Sequence, residues 1–285
     1  MTMRMPTESS SWDATPGAHG RLEISFARRG PRTVLSRQHA ATPLHVQGLL
    51  GRQDGDDPYA EVAVLNVAGG VVAGDLLEQC FIVGPGAAAR VLTVGATRLY
   101  RARGGGDRPA RQCTTLQVAA GARLEYLPDE LIPYAGALYE SETRLDVEPG
   151  GYAVVSEVVG PGRLHRGEVF AYRRLTLRVR ADRAGTPLLR DTLRLEPQVW
   201  PPSAGPILGA YTHLATLYAF GLTTGAGALL ATELHSLLEE RGLYGGATVG
   251  HGDTVILRAV GHSAYTLVQA VRAAAVLCRQ SKEHS

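Results

Sequence analysis

Gly69–Arg101, GGVVAGDLLEQCFIVGPGAAARVLTVGATRLYR, decides how the chain is read. The stretch holds a glycine cluster, an aspartate, two apolar runs of strand character and a Thr-Arg-Leu-Tyr-Arg edge. Its centre, VGPGA at 83–87, returns in looser form as VAAGA at 118–122 and VEPGG at 147–151. Each copy follows a run with an apolar residue at every second position: Phe81 and Val83, Leu116 and Val118, Leu145 and Val147. A recurrence of roughly 30 residues predicts stacked supersecondary units that bury their cores against one another.

The same period of two extends outward in both directions. Leu22-Glu23-Ile24-Ser25-Phe26 alternates, and so does Leu175–Arg180, with Arg178 and Arg180 on the polar face. Turn signals separate such runs at Gly51–Pro58, Gly104–Pro109, Glu148–Gly151, Gly160–Gly162 and Ala184–Pro187. Beyond the proline-rich loop Pro197–Gly209 the pattern changes. Leu230, Leu234, Leu237 and Leu238 have helical spacing within Ala226–Arg241, with Thr223 or Thr224 as start signals and Gly242 as the stop. Thr254–Val260 is strand-like, and Ser263 caps a second helix running to Arg279. The expected architecture is mainly β: a superhelical, β-solenoid-like stack of short strands with two C-terminal α-helices. Residues 1–20 read as a polar, disordered lead. Residues 21–285 read as one domain, its β body about 21–196 and a mixed strand and helix part about 210–280.

Composition narrows the function. Among 285 residues, 45% are hydrophobic and 20% charged, with a net charge of +2. That balance gives no electrostatic pull toward nucleic acid or an anionic membrane. The lead lacks the apolar segment of a secretion signal, and no apolar run approaches the length of a membrane span. A cytoplasmic protein is expected. Cys80, Cys113 and Cys278 are odd in number and widely spaced, which argues against a disulfide framework or a zinc ribbon.

Familiar catalytic signatures are missing: no nucleophile elbow, no HExxH, no Walker loop and no dinucleotide fingerprint. Gly84-Pro85-Gly86 suits a hairpin turn better than a phosphate cradle, and His251-Gly252-Asp253 reads as a turn. The polar residues that invite a function are few. Glu157 lies within the apolar run Val154–Val159, with Arg163 and Arg166 as nearest candidate partners and Glu168 ending the segment. It either faces solvent on an antiparallel strand or lines a polar interior able to pass a divalent cation. Asp75 is a turn residue or an interface position. Arg98 and Tyr100 share a face, as an interface pair or a solvated strand edge. Leu127–Gly136 is an apolar loop with Asp129 and Glu130 at its centre, a contact surface or a bend set by its prolines.

Taken in order, GGVVAGD at 69–75, the VGPGA turn, GATRLYR at 95–101, LEYLPDELIPYAGA at 124–137, GRLHRGE at 162–168 and the Arg190-Asp191 strand resemble the UreD (UreH) family of urease accessory proteins. The resemblance runs over about Arg21–Leu195 and more faintly through the helical end. Val94 and His165 depart from the residues common in the family. The resemblance implies a β-rich superhelical fold with two helices and no turnover of substrate. It implies partners: urease apoprotein, a UreF-type accessory protein and a UreG-type GTPase, to which GTP hydrolysis belongs. No tightly bound cofactor is implied; nickel passes transiently at most. A metal conduit through the interior makes Glu157 and Glu168 the transit candidates, with Arg163 orienting them. Asp75, Arg98, Tyr100 and Glu130 join them as partner-binding or conduit candidates. Two other readings compete: a metal-dependent hydrolase or lyase using Glu157, Glu168 and His165, and an interaction module without a metal role.

Overall fold

Alternating apolar positions become strands wherever one face can be buried. The computed structural model describes residues 17–50, 58–101, 108–203 and 208–283. The turn signals at 51–57 and 104–107, most of the polar lead and part of the proline-rich loop lie outside the described residues. One sheet holds seven strands in the order β14 (Thr186–Leu195), β13 (Arg174–Arg183), β11 (Leu138–Val147), β8 (Ala110–Val118), β5 (Leu76–Val83), β1 (His19–Arg29) and β2 (Arg32–Ala41). The second runs β16 (Tyr244–Val249), β17 (Val255–Gly261), β15 (His213–Phe220), β12 (Tyr152–Val159), β9 (Arg123–Leu127), β6 (Ala88–Thr93), β4 (Ala60–Asn66) and β3 (Leu44–Leu50). The short strands β7 (Thr97–Leu99) and β10 (Leu131–Pro133) pair with each other, and β10 meets β12. Neither sheet closes into a barrel.

The three recurring turns lie one above another. The amides of Gly84, Ala119 and Glu148 donate to the carbonyls of Phe26, Val83 and Val118 at 2.9, 3.0 and 2.9 Å. Gly86, Gly121 and Gly150 occupy the same corner with φ of 67°, 69° and 81°, a conformation that favours glycine. Each turn carries the chain from the seven-stranded sheet to the other. Strands β1, β5, β8, β11 and β13 consequently pair in parallel, as do β4, β6, β9 and β12. Antiparallel pairs flank this run at β1–β2, β13–β14, β3–β4 and β12–β15–β17–β16. The expected mainly β chain with two late helices is present. The parallel run accounts for its middle strands, not for the whole β body.

Two cores result. Leu22, Phe81, Leu116 and Val147 meet Val62, Val91, Leu124 and Val155 between the sheets. On the outer face of the second sheet, α1 (Ala226–Glu240) buries Leu230, Leu234 and Leu238, and α2 (Ala264–Glu283) buries Leu267, Val271 and Cys278. Gly242 has φ of 63° just past α1, as its stop signal predicts. The predicted start is corrected: Gly225 is the N-cap of α1, and neither Thr223 nor Thr224 supplies a side-chain cap. Ser263 does cap α2, its Oγ accepting the Thr266 amide at 3.4 Å.

Three boundaries differ from the sequence reading. Strand β1 begins at His19, inside the segment read as disordered, because His19 and Gly20 pair with Leu76 and Leu77 of β5. Leu127–Gly136 is not wholly a loop, since it contains β10, registered against Thr97–Leu99. Strands β15 and β16 carried too little alternation to be read from sequence. No helix among the described residues is long and apolar enough to cross a membrane.

Candidate functional site

Strand β12 lies between β9 and β15 with both faces covered, which forces its one charged residue to one side. Ala153, Val155 and Val159 point into the core between the sheets, and Glu157 shares their parity. Its carboxylate faces a cavity of about 190 Å³ between the sheets. Gln79, Gln112, Ser141 and Thr143 line that cavity from the seven-stranded sheet, and Tyr126 and Asp129 from the other side. One end reaches the loops at Gly69–Val71 and Val94–Arg98.

Glu157 forms no hydrogen bond with another described residue. Its carboxyl is pushed up to about 7, first by burial and then by nearby Asp191, while Arg258 works the other way. Asp191, on β14, is held differently. Burial opposes its ionisation, but hydrogen bonds from Tyr218 Oη at 2.7 Å and from Arg258 outweigh this and keep the carboxyl below its usual range. One carboxyl of this cluster is therefore firmly ionised and the other titrates near neutrality. Burial also lifts the Tyr126 hydroxyl to about 12, leaving it a neutral hydrogen-bonding group above the cavity.

This corrects the partners expected for Glu157. Its charged neighbours are Asp191 and Arg258, not Arg163 or Arg166, because β12 runs between strands while Arg163 follows in a surface turn. Arg163 pairs instead with Glu168. Its Nε donates to Oε2 at 2.8 Å, its Nη2 to Oε1, and the Ala135 amide also reaches Oε2 at 3.2 Å. The arginine lowers the Glu168 carboxyl below its ordinary range. The Arg163 guanidinium lies 4.2 Å from the centre of the Tyr134 ring, which meets Tyr100 edge-on at 4.9 Å. Tyr100, Arg163 and Glu168 thus form one surface group joined by Tyr134, a residue the sequence reading passed over.

The remaining candidates divide. Asp75 is buried, and its carboxylate accepts the amides of Ala18 at 2.9 Å and Val72 at 2.8 Å. It ties the start of β1 to the 72–75 turn. Glu130 is half-buried and faces His213 Nε2 at 3.4 Å, packed so closely that a Cβ on Gly160 would lie 1.9 Å from its Oε1. Arg98 is exposed beside the cavity mouth. His165 sits exposed on the turn Leu164–Arg166. Among the described residues no three His, Cys, Asp or Glu side chains gather as a metal site, so Glu157, Glu168 and His165 do not form the set that the hydrolase or lyase reading needs. The residues that sequence reasoning missed are Asp191, Tyr218, Arg258 and Tyr134. Only Asp191 carried a signal, as part of the Arg190-Asp191 block.

Comparison with known proteins gives a consistent picture. A family model described as UreD urease accessory protein matches residues 18–285. The chain is 35% identical to the urease accessory protein UreD of Haloarcula marismortui, over 91% of this chain and 86% of that protein. It is 32% identical to the protein of the same name from Cenarchaeum symbiosum, over 90% of each. With urease accessory protein UreD 2 of Streptomyces griseus it shares 34% over 82% of this chain and 80% of the relative.

Proposed function

The chain belongs to the UreD family of urease accessory proteins, and on that premise we propose that it is a non-catalytic maturation factor, a scaffold that binds urease apoprotein with a UreF-type protein and a UreG-type GTPase while nickel is delivered. In this reading it acts in the cytoplasm and as a single folded unit over 21–285. Nickel is its cargo, not a resident cofactor.

One observation supports the metal part: a carboxyl without a hydrogen-bond partner faces a cavity of about 190 Å³ lined by amide and hydroxyl side chains. Oxygen donors of this kind hold a divalent cation loosely. A cation meeting Glu157 must displace a proton that is half-retained near pH 7, which further weakens the hold. With Asp129 on the same lining already paired to Arg272 at 3.0 Å, Glu157 offers a weak contact that suits passage better than storage. Glu168, already neutralised by Arg163 at the surface, contributes less to that path than its sequence position implies.

The test is co-expression with the urease subunits and the other accessory proteins, reading nickel content and urease activity. Deletion of this chain is expected to leave apourease. Unchanged nickel content after deletion sinks the proposal. Glu157→Ala, in a complex that still assembles, is expected to slow nickel loading. Unaltered loading would leave an interaction module without a metal role.

A further inference from the structure

The surface group around Tyr134 has features that packing does not require. Strand β7 carries Arg98 and leads into Tyr100, and its parallel neighbour β10 sets Ile132 beside Arg98 and leads into Tyr134. The bidentate pair with Glu168 fixes the plane of Arg163 over the Tyr134 ring. Tyr100 is held as well, its hydroxyl donating to the Gly69 carbonyl at 3.3 Å, while a Cβ on Gly70 would lie 2.3 Å from its ring. Side chains held this firmly lose little entropy on meeting a partner. Tyrosine and arginine are the residues that most often anchor protein interfaces.

Charge completes the picture. Arg98 precedes Tyr100 by two residues and Arg166 follows Arg163 by three; both are exposed, and neither forms an ion pair or side-chain hydrogen bond with a described residue. Arg166 follows Arg163 in the same turn, its amide donating to the Arg163 carbonyl at 2.8 Å. Glu168, the nearby carboxylate, is already committed to Arg163. Leu164 and Val169 are 40% and 45% exposed and add aliphatic surface to the same segment. Two unpaired positive charges therefore frame aromatic and aliphatic surface. Such a face complements carboxylates set around apolar contacts.

We propose that the Tyr100–Tyr134–Arg163 row, framed by Arg98 and Arg166, is a docking site for an acidic protein surface. This rests on the maturation reading above, which supplies the partners to be tried. Its charge pattern selects the member of the assembly that presents carboxylates, and the contact forms by electrostatic steering before the aromatic row is covered.

The experiment uses the full chain and, separately, purified urease apoprotein, UreF-type protein and UreG-type GTPase as probes, with binding followed by biolayer interferometry across a salt series. The Arg98→Glu, Arg166→Glu double variant changes only exposed side chains, and circular dichroism and Tm check that it folds. The expected result is binding to one probe weakened at least about 10-fold at low salt, with a flatter salt dependence than the parent. Tyr134→Leu should weaken the same probe while leaving the salt dependence alone. Parent-like affinity and salt dependence of the double variant for every probe overturns the site while leaving the maturation reading in place. Failure of the parent itself to bind any probe sinks both.

Discussion

Glu125 and Glu157 lie on neighbouring parallel strands of one sheet, yet they are treated in opposite ways. Glu125 on β9 points to the helical side, where Arg90 Nε donates to its Oε2 at 2.7 Å and Arg279 of α2 comes within 3.8 Å. Tyr59 lies between those two guanidinium groups, 5.0 Å from Arg90 and 5.3 Å from Arg279. Glu157 on β12 points to the other side, into the cavity, with no hydrogen bond and a carboxyl raised to about 7. The first glutamate is compensated and fastens a helix to the sheet. The second persists although its environment disfavours its charge. A half-buried carboxyl kept against its own solvation is where function is most economically sought.

The contrast can be broken most severely at Glu125. Glu125→Gln removes the charge shared by half-buried Arg90 and Arg279, leaving Arg90 with Glu61 at 3.2 Å, and is expected to cost about 3 kcal/mol, read as a lowered midpoint in urea unfolding. A cost near zero would mean that the apolar stripe of α2 holds the helix unaided. Glu157→Gln should act in the opposite direction. A folded-state carboxyl raised from 4.5 to about 7 costs stability progressively as pH rises through that window, and the full penalty stands above it. The glutamine variant is therefore expected to be more stable than the parent at pH 8, by on the order of 1–3 kcal/mol, with the difference vanishing below pH about 4.5. Equal urea midpoints across that range would show that Glu157 is freely hydrated.

Smaller effects sharpen the same contrast. Tyr59→Leu removes two cation–π contacts at the Glu125 side and should lower stability by about 1–2 kcal/mol, without altering the titration of Glu157. Asp191→Asn removes a like charge and releases Arg258, so the Glu157 carboxyl should titrate lower than in the parent. Arg258→Met should move it higher. Carbon-13 NMR of the glutamate carboxyls reads both directions, and a shift of the same sign in the two variants would contradict the assigned neighbours.

Much of the fold was legible because side-chain period is a local property. The runs around Phe81, Leu116 and Leu145 announced three strands, found as parallel neighbours in one sheet, and the glycine corners that follow them announced the turns. The leucines of α1 and the cap of α2 were equally local. Strand β15 was not legible, since His213–Phe220 is buried on both faces and shows no alternation. The site was legible in part. Glu157 stood out as a charge in an apolar run, whereas Arg163 was assigned to it merely because it lay nearby in sequence. Tyr134 looked like one more aromatic in a loop until β10 placed it against Tyr100.

What the sequence by itself determined is most of the strands and both helices, the glycine corners between the sheets and the family whose blocks it carries in order. Tertiary structure alone decided which charges meet. Asp191 and Arg258 stand 67 residues apart in the chain and come together near Glu157 because β14 closes one sheet while β17 lies two strands from β12 in the other. Strand order and register set those distances, and they depend on how two faces bury their apolar area together. Whether a glutamate is fastened or left to titrate follows from that pairing, since the free energy of a buried charge is set by the neighbours it meets in space.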